Sequence, residues 1–165
     1  MAIIELETDV KTKMLLAALA AFSMPTLAFA DPGHSHGDSR TYGEPGDAKK
    51  PARIVQITMR DADGKMEFIP NRIEVKRGEQ IRFALRNNGA LDHEIVLATL
   101  AENLKHAEEM RKNPDMEHDD PNAKRLAPKK TGEIVWRFTK AGEFDFSCLI
   151  PGHREAGMSG TIIVK

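Results

Sequence analysis

Cysteine is nearly absent from this chain of 165 residues, because Cys148 is the only one. An intramolecular disulfide is therefore excluded, and the thiol is either buried, paired with another chain, or held by something else such as a metal. An excess of charge is missing too. The 24 basic and 25 acidic residues give a net charge of −1, so the electrostatic footprint of a nucleic-acid-binding protein is lacking.

Long apolar runs are also missing. The longest near the start, Met14–Phe22, is far shorter than the roughly 20 residues that a membrane-spanning helix needs. Two lysines precede it, and Ala28 and Ala30 form an A-x-A pattern. These features predict a secretory signal peptide over residues 1–30. We therefore expect export to an oxidising compartment such as a periplasm, with no membrane span after cleavage.

The next stretch, residues 31–52, is rich in Gly, Pro, Asp and Lys and contains His34 and His36. So polar a segment buries too little apolar surface to offset the entropy of ordering. It is predicted to be a disordered, histidine-containing tail that binds metal weakly at most.

From Arg53 onward, apolar residues recur at every second position, as in "RIVQITMR" and "QIRFALRN". Short alternating segments separated by Gly and Pro turns are typical of a β-sandwich or barrel. Residues 53–165 are therefore predicted to be one all-β domain.

A helical insertion interrupts this pattern at about residues 98–130. Thr99 and Glu102 form a capping box for a helix over residues 99–112, which Pro114 ends. The predicted apolar face of this helix consists of Leu100, Leu104, Ala107 and Met110.

The segment "FSCLIPGHREAGM" spaces Cys148, His153 and Met158 evenly around a Pro-Gly turn. A mononuclear electron-transfer copper site uses one thiolate, two imidazoles and a weak axial thioether. His93, at the start of the strand "HEIVLA", is the best candidate for the second imidazole. Taken singly, each of these residues is more simply explained by packing or by a turn; together, their spacing predicts one type 1 copper per chain.

Other chemistries fit less well. Methionine is a poor partner for zinc, and a dinuclear copper centre would need a second cysteine. A multicopper oxidase would flank its cysteine with histidines, whereas the neighbours here are Ser147 and Leu149. No base is placed to activate the thiol as a nucleophile, so no catalytic residues and no enzyme activity are expected.

The chain from about Arg53 to Lys165 resembles the cupredoxins, the plastocyanin and azurin type of copper protein. The resemblance rests on the ligand segment and on "FIPNRIEVKRGEQIRF", residues 68–83. It implies an antiparallel Greek-key β-sandwich with His93, Cys148, His153 and Met158 as copper ligands. The insertion and the tail are most similar to exported bacterial copper-resistance cupredoxins. Many cupredoxins have Asn after the first ligand histidine, where this chain has Glu94, which predicts a perturbed, blue or green site.

Two functions remain open. One is copper tolerance, in which the protein sequesters, oxidises or passes on copper. The other is a soluble electron carrier that serves a redox partner such as a periplasmic cytochrome, a copper oxidase or an exporter. The tail and the insertion favour tolerance slightly, because a pure carrier needs neither. Soft side chains in the insertion suit Cu(I), although a solvated insertion explains them more simply; these are His106, Met110, Met116 and His118.

Overall fold

The computed structural model describes residues 40–114, 116 and 120–165. The predicted signal peptide, residues 31–39 of the predicted tail with His34 and His36, and His118 lie outside the described residues. In the part of the chain that is described, no helix is both long and apolar enough to cross a membrane.

In the described residues, ten strands form two five-stranded sheets with one helix between strands, so the prediction of an all-β sandwich with a helical insertion is confirmed. In spatial order, the first sheet consists of β1 (Glu44–Pro45), β8 (Thr131–Arg137), β5 (Gln80–Asn87), β2 (Arg53–Ala62) and β3 (Lys65–Ile69). The second consists of β4 (Arg72–Val75), β10 (Ser159–Val164), β9 (Gly142–Ser147), β6 (His93–Ala98) and β7 (Ala123–Leu126).

The strand pairing is mixed. Six of the pairs are antiparallel, as predicted. The pairs β2–β5 and β4–β10 are parallel. The chain leaves β2 through the β3 hairpin, crosses to the second sheet as β4 and returns as β5 beside β2. A parallel pair requires such a crossover connection.

The core lies between the two sheets, where side chains at alternating positions of both sheets meet. Its fully buried members include Ile57, Met59, Ile81, Phe83, Trp136, Phe146 and Ile162. Burial of each large apolar side chain stabilises the fold by about 1.5–3 kcal/mol. Strand β6 is buried at every position, because helix α1 (Leu100–Lys112) and the edge strand β7 lie against it.

Residues 40–52 differ from the disordered tail that their composition predicts. The ring of Tyr42 is 5% exposed and stacks on Trp136 at a centroid distance of 5.5 Å. Glu44 and Pro45 pair with the edge of β8. One buried aromatic ring and one free strand edge are enough to order a stretch that is otherwise polar. The β domain therefore begins before Arg53.

The insertion also differs in detail from its prediction. The capping box of Thr99 and Glu102 is present. However, Leu100 and Leu104 are 52% and 49% exposed, and the helix buries Asn103 and Met110 instead. The polar segment that follows the helix within the predicted insertion contains strand β7 (Ala123–Leu126).

Hydrogen bonding explains why this helix buries a polar residue. The Nδ2 of Asn103 donates to the carbonyl of Val96 at 3.0 Å and to Oδ1 of Asp145 at 2.7 Å. Buried amides are tolerated when they are paired in this way. These two bonds set the face that α1 presents to β6 and β9, which hydrophobic periodicity alone does not predict.

Candidate metal centre

Three of the four predicted ligand residues meet at one end of the second sheet. His93 begins β6, Cys148 follows β9 directly, and His153 lies in the turn between β9 and β10. Their ligating atoms all lie within 4.8 Å of one another. The Nδ1 atoms of the two histidines are 3.2 Å apart, and Sγ of Cys148 is 3.3 Å from Nδ1 of His153. His93 and Cys148 are fully buried, and His153 is 9% exposed.

The turn after β9 folds back on itself, as the Pro-Gly pair predicts. The amide of His153 donates to the carbonyl of Ile150 at 3.0 Å. Gly152 and Gly157 have φ of 88° and 107°, a conformation that side chains with a Cβ rarely adopt. Backbone hydrogen bonds from Cys148 to Met158 at 3.1 Å and from Met158 to His153 at 3.0 Å close the turn. Met158 is thereby held beside the other two, fully buried.

The donor set fits a soft or borderline transition metal. One thiol and two imidazoles converge in a buried space, and this set matches the trigonal ligands of a mononuclear copper site. Two nitrogens at about 2 Å from one metal in a near-tetrahedral arrangement lie about 3.3 Å apart, close to the 3.2 Å between the histidine Nδ1 atoms. The residues therefore fit a single ion without rearrangement of the backbone.

Glu94 ties the two ligand-bearing segments together. Its backbone amide donates to Sγ of Cys148 at 3.4 Å, and its Oε1 accepts from the amide of Leu149 at 3.0 Å. Hydrogen bonds from outside the ligand set orient ligands and tune the metal. Asn is common in cupredoxins at the position of Glu94, so the sequence alone does not predict this link. In this chain a buried carboxylate makes it.

Asp61 is a residue of the site that sequence reasoning missed. Its Oδ2 lies 2.8 Å from Nε2 of His93, although it belongs to β2 in the other sheet. Burial acts to raise the pKa of Asp61, but hydrogen bonds from the amides of Ala90 and Leu91 and from His93 hold it below its usual value. In sequence, Asp61 stands in "DADG", which indicates only a hairpin turn.

The site disfavours charge in the absence of a metal. Burial and the nearby carboxylate of Glu94 raise the pKa of the Cys148 thiol to about 12. Burial and the neighbouring His93 lower the pKa of His153. The copper-free site is thus neutral at these two residues near pH 7. A metal must displace the thiol proton to bind there, and metal binding to cysteine generally releases protons.

Helix α1 packs beside the candidate metal centre. Val96, Met110 and Leu149 form a second buried apolar cluster, with Met116 packed against it. Leu149 follows Cys148 directly, so the insertion touches the ligand segment. On the same side, Arg154 pairs with Asp145 at 2.9 Å.

The fold and these residues together define a copper-binding β-sandwich protein. The sequence family described as copper binding proteins, plastocyanin/azurin family, matches residues 55–165. Because this match spans more than half of the chain, the protein belongs to that family, and copper is its cofactor.

Relatives match along nearly the whole chain. The copper-resistant cuproprotein CopI of Rubrivivax gelatinosus is 49% identical over 161 residues, which cover 92% of this chain and 94% of that protein. The copper-resistant cuproprotein CopI of Pseudomonas aeruginosa is 32% identical, covering 93% of this chain and 97% of its own length.

Solved structures support the fold. Reduced auracyanin from Roseiflexus castenholzii superposes with a TM-score of 0.58 at 21% identity, covering 70% of this chain and 99% of its own. A multicopper oxidase superposes with a TM-score of 0.51 at 15% identity, covering 70% of this chain and 45% of its own. At these identities the likeness shows the sandwich architecture and nothing about activity.

Proposed function

We propose that this chain is an exported, non-enzymatic type 1 copper protein that works in periplasmic copper tolerance. His93, Cys148 and His153 bind the copper, and Met158 supplies a weak axial thioether. The site is perturbed from ideal blue geometry, because Glu94 places a carboxylate beside the thiolate. One copper is bound tightly per chain.

The buried convergence of His93, Cys148 and His153 within 4.8 Å carries this proposal. A buried thiolate with two imidazoles is a soft donor set that suits copper. The match with copper-resistant cuproproteins over more than nine-tenths of the chain supports the assignment to tolerance. Helix α1 rests on the residue after Cys148, so the insertion belongs to the site's surroundings in this chain.

Electron transfer is the alternative function, and one observation favours it. Among the three converging residues, only His153 reaches solvent, at 9% exposure. That edge would serve as the exit for an electron towards a redox partner such as a periplasmic cytochrome, a copper oxidase or an exporter.

Gene deletion with complementation distinguishes the two functions. We expect the deletion strain to be sensitive to copper while its respiration stays intact. The wild-type gene should restore growth in copper, and a Cys148→Ser gene should not. A respiratory defect without copper sensitivity would reject the tolerance role and favour the carrier.

A further inference from the structure

The Asp61–His93 contact joins the two sheets at the metal centre. Oδ2 of Asp61 lies 2.8 Å from Nε2 of His93, and the two side chains are 13% and 0% exposed. A carboxylate oxygen only accepts hydrogen bonds. The ring nitrogen facing it must therefore carry a proton, which leaves Nδ1 as the atom of His93 that can bind a metal. That atom is the one that faces His153 and the cluster.

The carboxylate of Asp61 is itself held in place. The amide of Ala90 donates to both of its oxygens at 2.9 Å, and the amide of Leu91 donates to Oδ2 at 3.0 Å. Asp61 thus fixes the segment that leads into β6 as well as the ring of His93. A carboxylate with this many donors has little freedom to rotate away.

Gly89 gives a second, independent sign that the contact is built into the fold. A Cβ at this position would lie 2.1 Å from Oδ2 of Asp61 and 2.9 Å from Nε2 of His93. Any other residue would push the carboxylate and the imidazole apart. Glycine is required here because its backbone lies too close to these two side chains for a Cβ to fit.

The other histidine of the cluster lacks such a partner. Within residues 40–114, 116 and 120–165, the ring of His153 makes its close polar contacts with His93 and with Sγ of Cys148. The two imidazoles therefore differ electronically: His93 has an anionic hydrogen-bond acceptor behind it, and His153, at the solvent edge, has none.

We propose that Asp61 is a positioning residue that fixes the tautomer of His93 and makes the site favour Cu(II) over Cu(I). This inference rests on the proposed ligand set. A carboxylate behind a ligating imidazole fixes its orientation and raises its basicity. A more basic ligand stabilises the higher charge more, so the contact lowers the reduction potential. Such a bias suits a protein that holds copper in its oxidised form, Cu(II).

The test compares Asp61→Asn with the wild type and with Asp63→Asn. Asp63 is exposed two residues further along, so its variant makes the same charge change away from the site. Competing chelators measure the Cu(II) and Cu(I) affinities separately, and voltammetry measures the potential. For Asp61→Asn we expect Cu(II) affinity to fall at least about tenfold with little change for Cu(I). A tenfold fall in the ratio of Cu(II) affinity to Cu(I) affinity raises the one-electron reduction potential by about 59 mV. Asp63→Asn should match the wild type.

Gly89→Ala provides a second route that keeps the charge of Asp61. The added methyl group should part the carboxylate from the imidazole and raise the potential in the same direction. Equal losses of Cu(I) and Cu(II) affinity in both variants would reduce Asp61 to a structural role and overturn the proposal. An unchanged potential would overturn it as well. Thermal unfolding of the copper-free variants reports any general loss of folding.

A measurement without copper separates this inference from the proposed function. Nitrogen NMR of the copper-free protein reads the tautomer of each histidine. We expect His93 to carry its proton on Nε2 in the wild type and to populate both tautomers in Asp61→Asn. A wild-type His93 protonated on Nδ1 would refute the role of Asp61, whatever the deletion strain shows. Failure of the tolerance role would appear in the deletion strain alone.

Discussion

The backbone amide of Glu94 donates to Sγ of Cys148 across 3.4 Å, while the carboxylate of the same residue accepts from the amide of Leu149. One buried residue thus connects β6 to the thiol of Cys148 and to the residue that follows it. The ligand-bearing segments come from different parts of the chain, and this link fixes their separation before any metal arrives. Preorganisation of this kind reduces what the metal must reorganise on binding.

The first prediction concerns that link. Glu94→Ala leaves the buried amide of Leu149 without its acceptor, which costs about 1–3 kcal/mol. We expect the free energy of unfolding of the copper-free protein to fall by that amount in urea titrations. Glu94→Gln is the matched control, because its side-chain oxygen still accepts the bond, and it should lose less. Equal losses in the two variants would mean that the negative charge, and not the hydrogen bond, stabilises this corner.

The second prediction concerns the metal. The wild-type protein with Cu(II) should show intense charge-transfer absorption from thiolate to copper, because Cys148 is the only cysteine. Cys148→Ser should abolish this band while the far-UV circular dichroism stays that of a β protein. Met158→Leu should keep the band and shift its position, since a thioether is a weak axial ligand. A wild-type protein that binds copper without such a band would contradict the type 1 assignment.

The third prediction uses the raised pKa of the thiol. Burial raises the pKa of Cys148 from 9.0 to about 12 in the folded, copper-free protein. Below pH 9 the thiol is protonated in both the folded and the unfolded state. Between pH 9 and 12 the unfolded chain releases the proton more readily, so stability is lost as pH rises.

Chemical unfolding of the copper-free wild type and of Cys148→Ala checks this. Subtracting the free energy of unfolding of Cys148→Ala from that of the wild type removes the effect of other groups that titrate in the same range, Tyr42 among them. The stability advantage of the wild type over Cys148→Ala should shrink as pH rises above 9. An advantage that stays constant across this range would show that the folded thiol titrates normally.

The fourth prediction concerns the segment before β2. Tyr42 is buried against Trp136, and its hydroxyl oxygen accepts from Nδ2 of Asn122 at 3.2 Å. Tyr42→Ala should destabilise the domain by about 3 kcal/mol, as large aromatic truncations in cores do. Tyr42→Phe, which loses only the hydrogen bond, should cost about 1 kcal/mol. If Tyr42→Ala unfolds like the wild type in thermal melts, burial of the Tyr42 ring does not stabilise the fold.

The sequence predicts the sandwich and the converging residues well, because both depend on local patterns. Alternating apolar residues identify eight of the ten strands, and the spacing from Cys148 to His153 follows from one turn. The strands that it misses, β1 and β7, are short edge strands of polar composition. Pairing with a neighbour, rather than their own side chains, determines that they form.

The missed features are contacts between distant parts of the chain. Asp61 and His93 are 32 residues apart and lie in different sheets. No periodicity relates them, so only the packing of the two sheets reveals the pair. Asn103 is buried for the same reason, because its acceptors on β6 and β9 are assembled by the fold.

The last prediction concerns the number of copper ions. The insertion offers His106, Met110 and Met116 as soft donors, but Met110 is fully buried and Met116 packs against the same apolar cluster. Ligation by either would require that cluster to open, and loss of its packing costs free energy. We therefore expect one tight copper per chain and weaker binding elsewhere. The weaker binding should disappear when residues 31–39 are deleted or when His106, Met116 and His118 are replaced by alanine. Neither change should alter the charge-transfer band. Titration against a competing Cu(I) chelator counts the copper sites and measures their affinities. Two sites of similar high affinity would show that the insertion opens to form a second copper site.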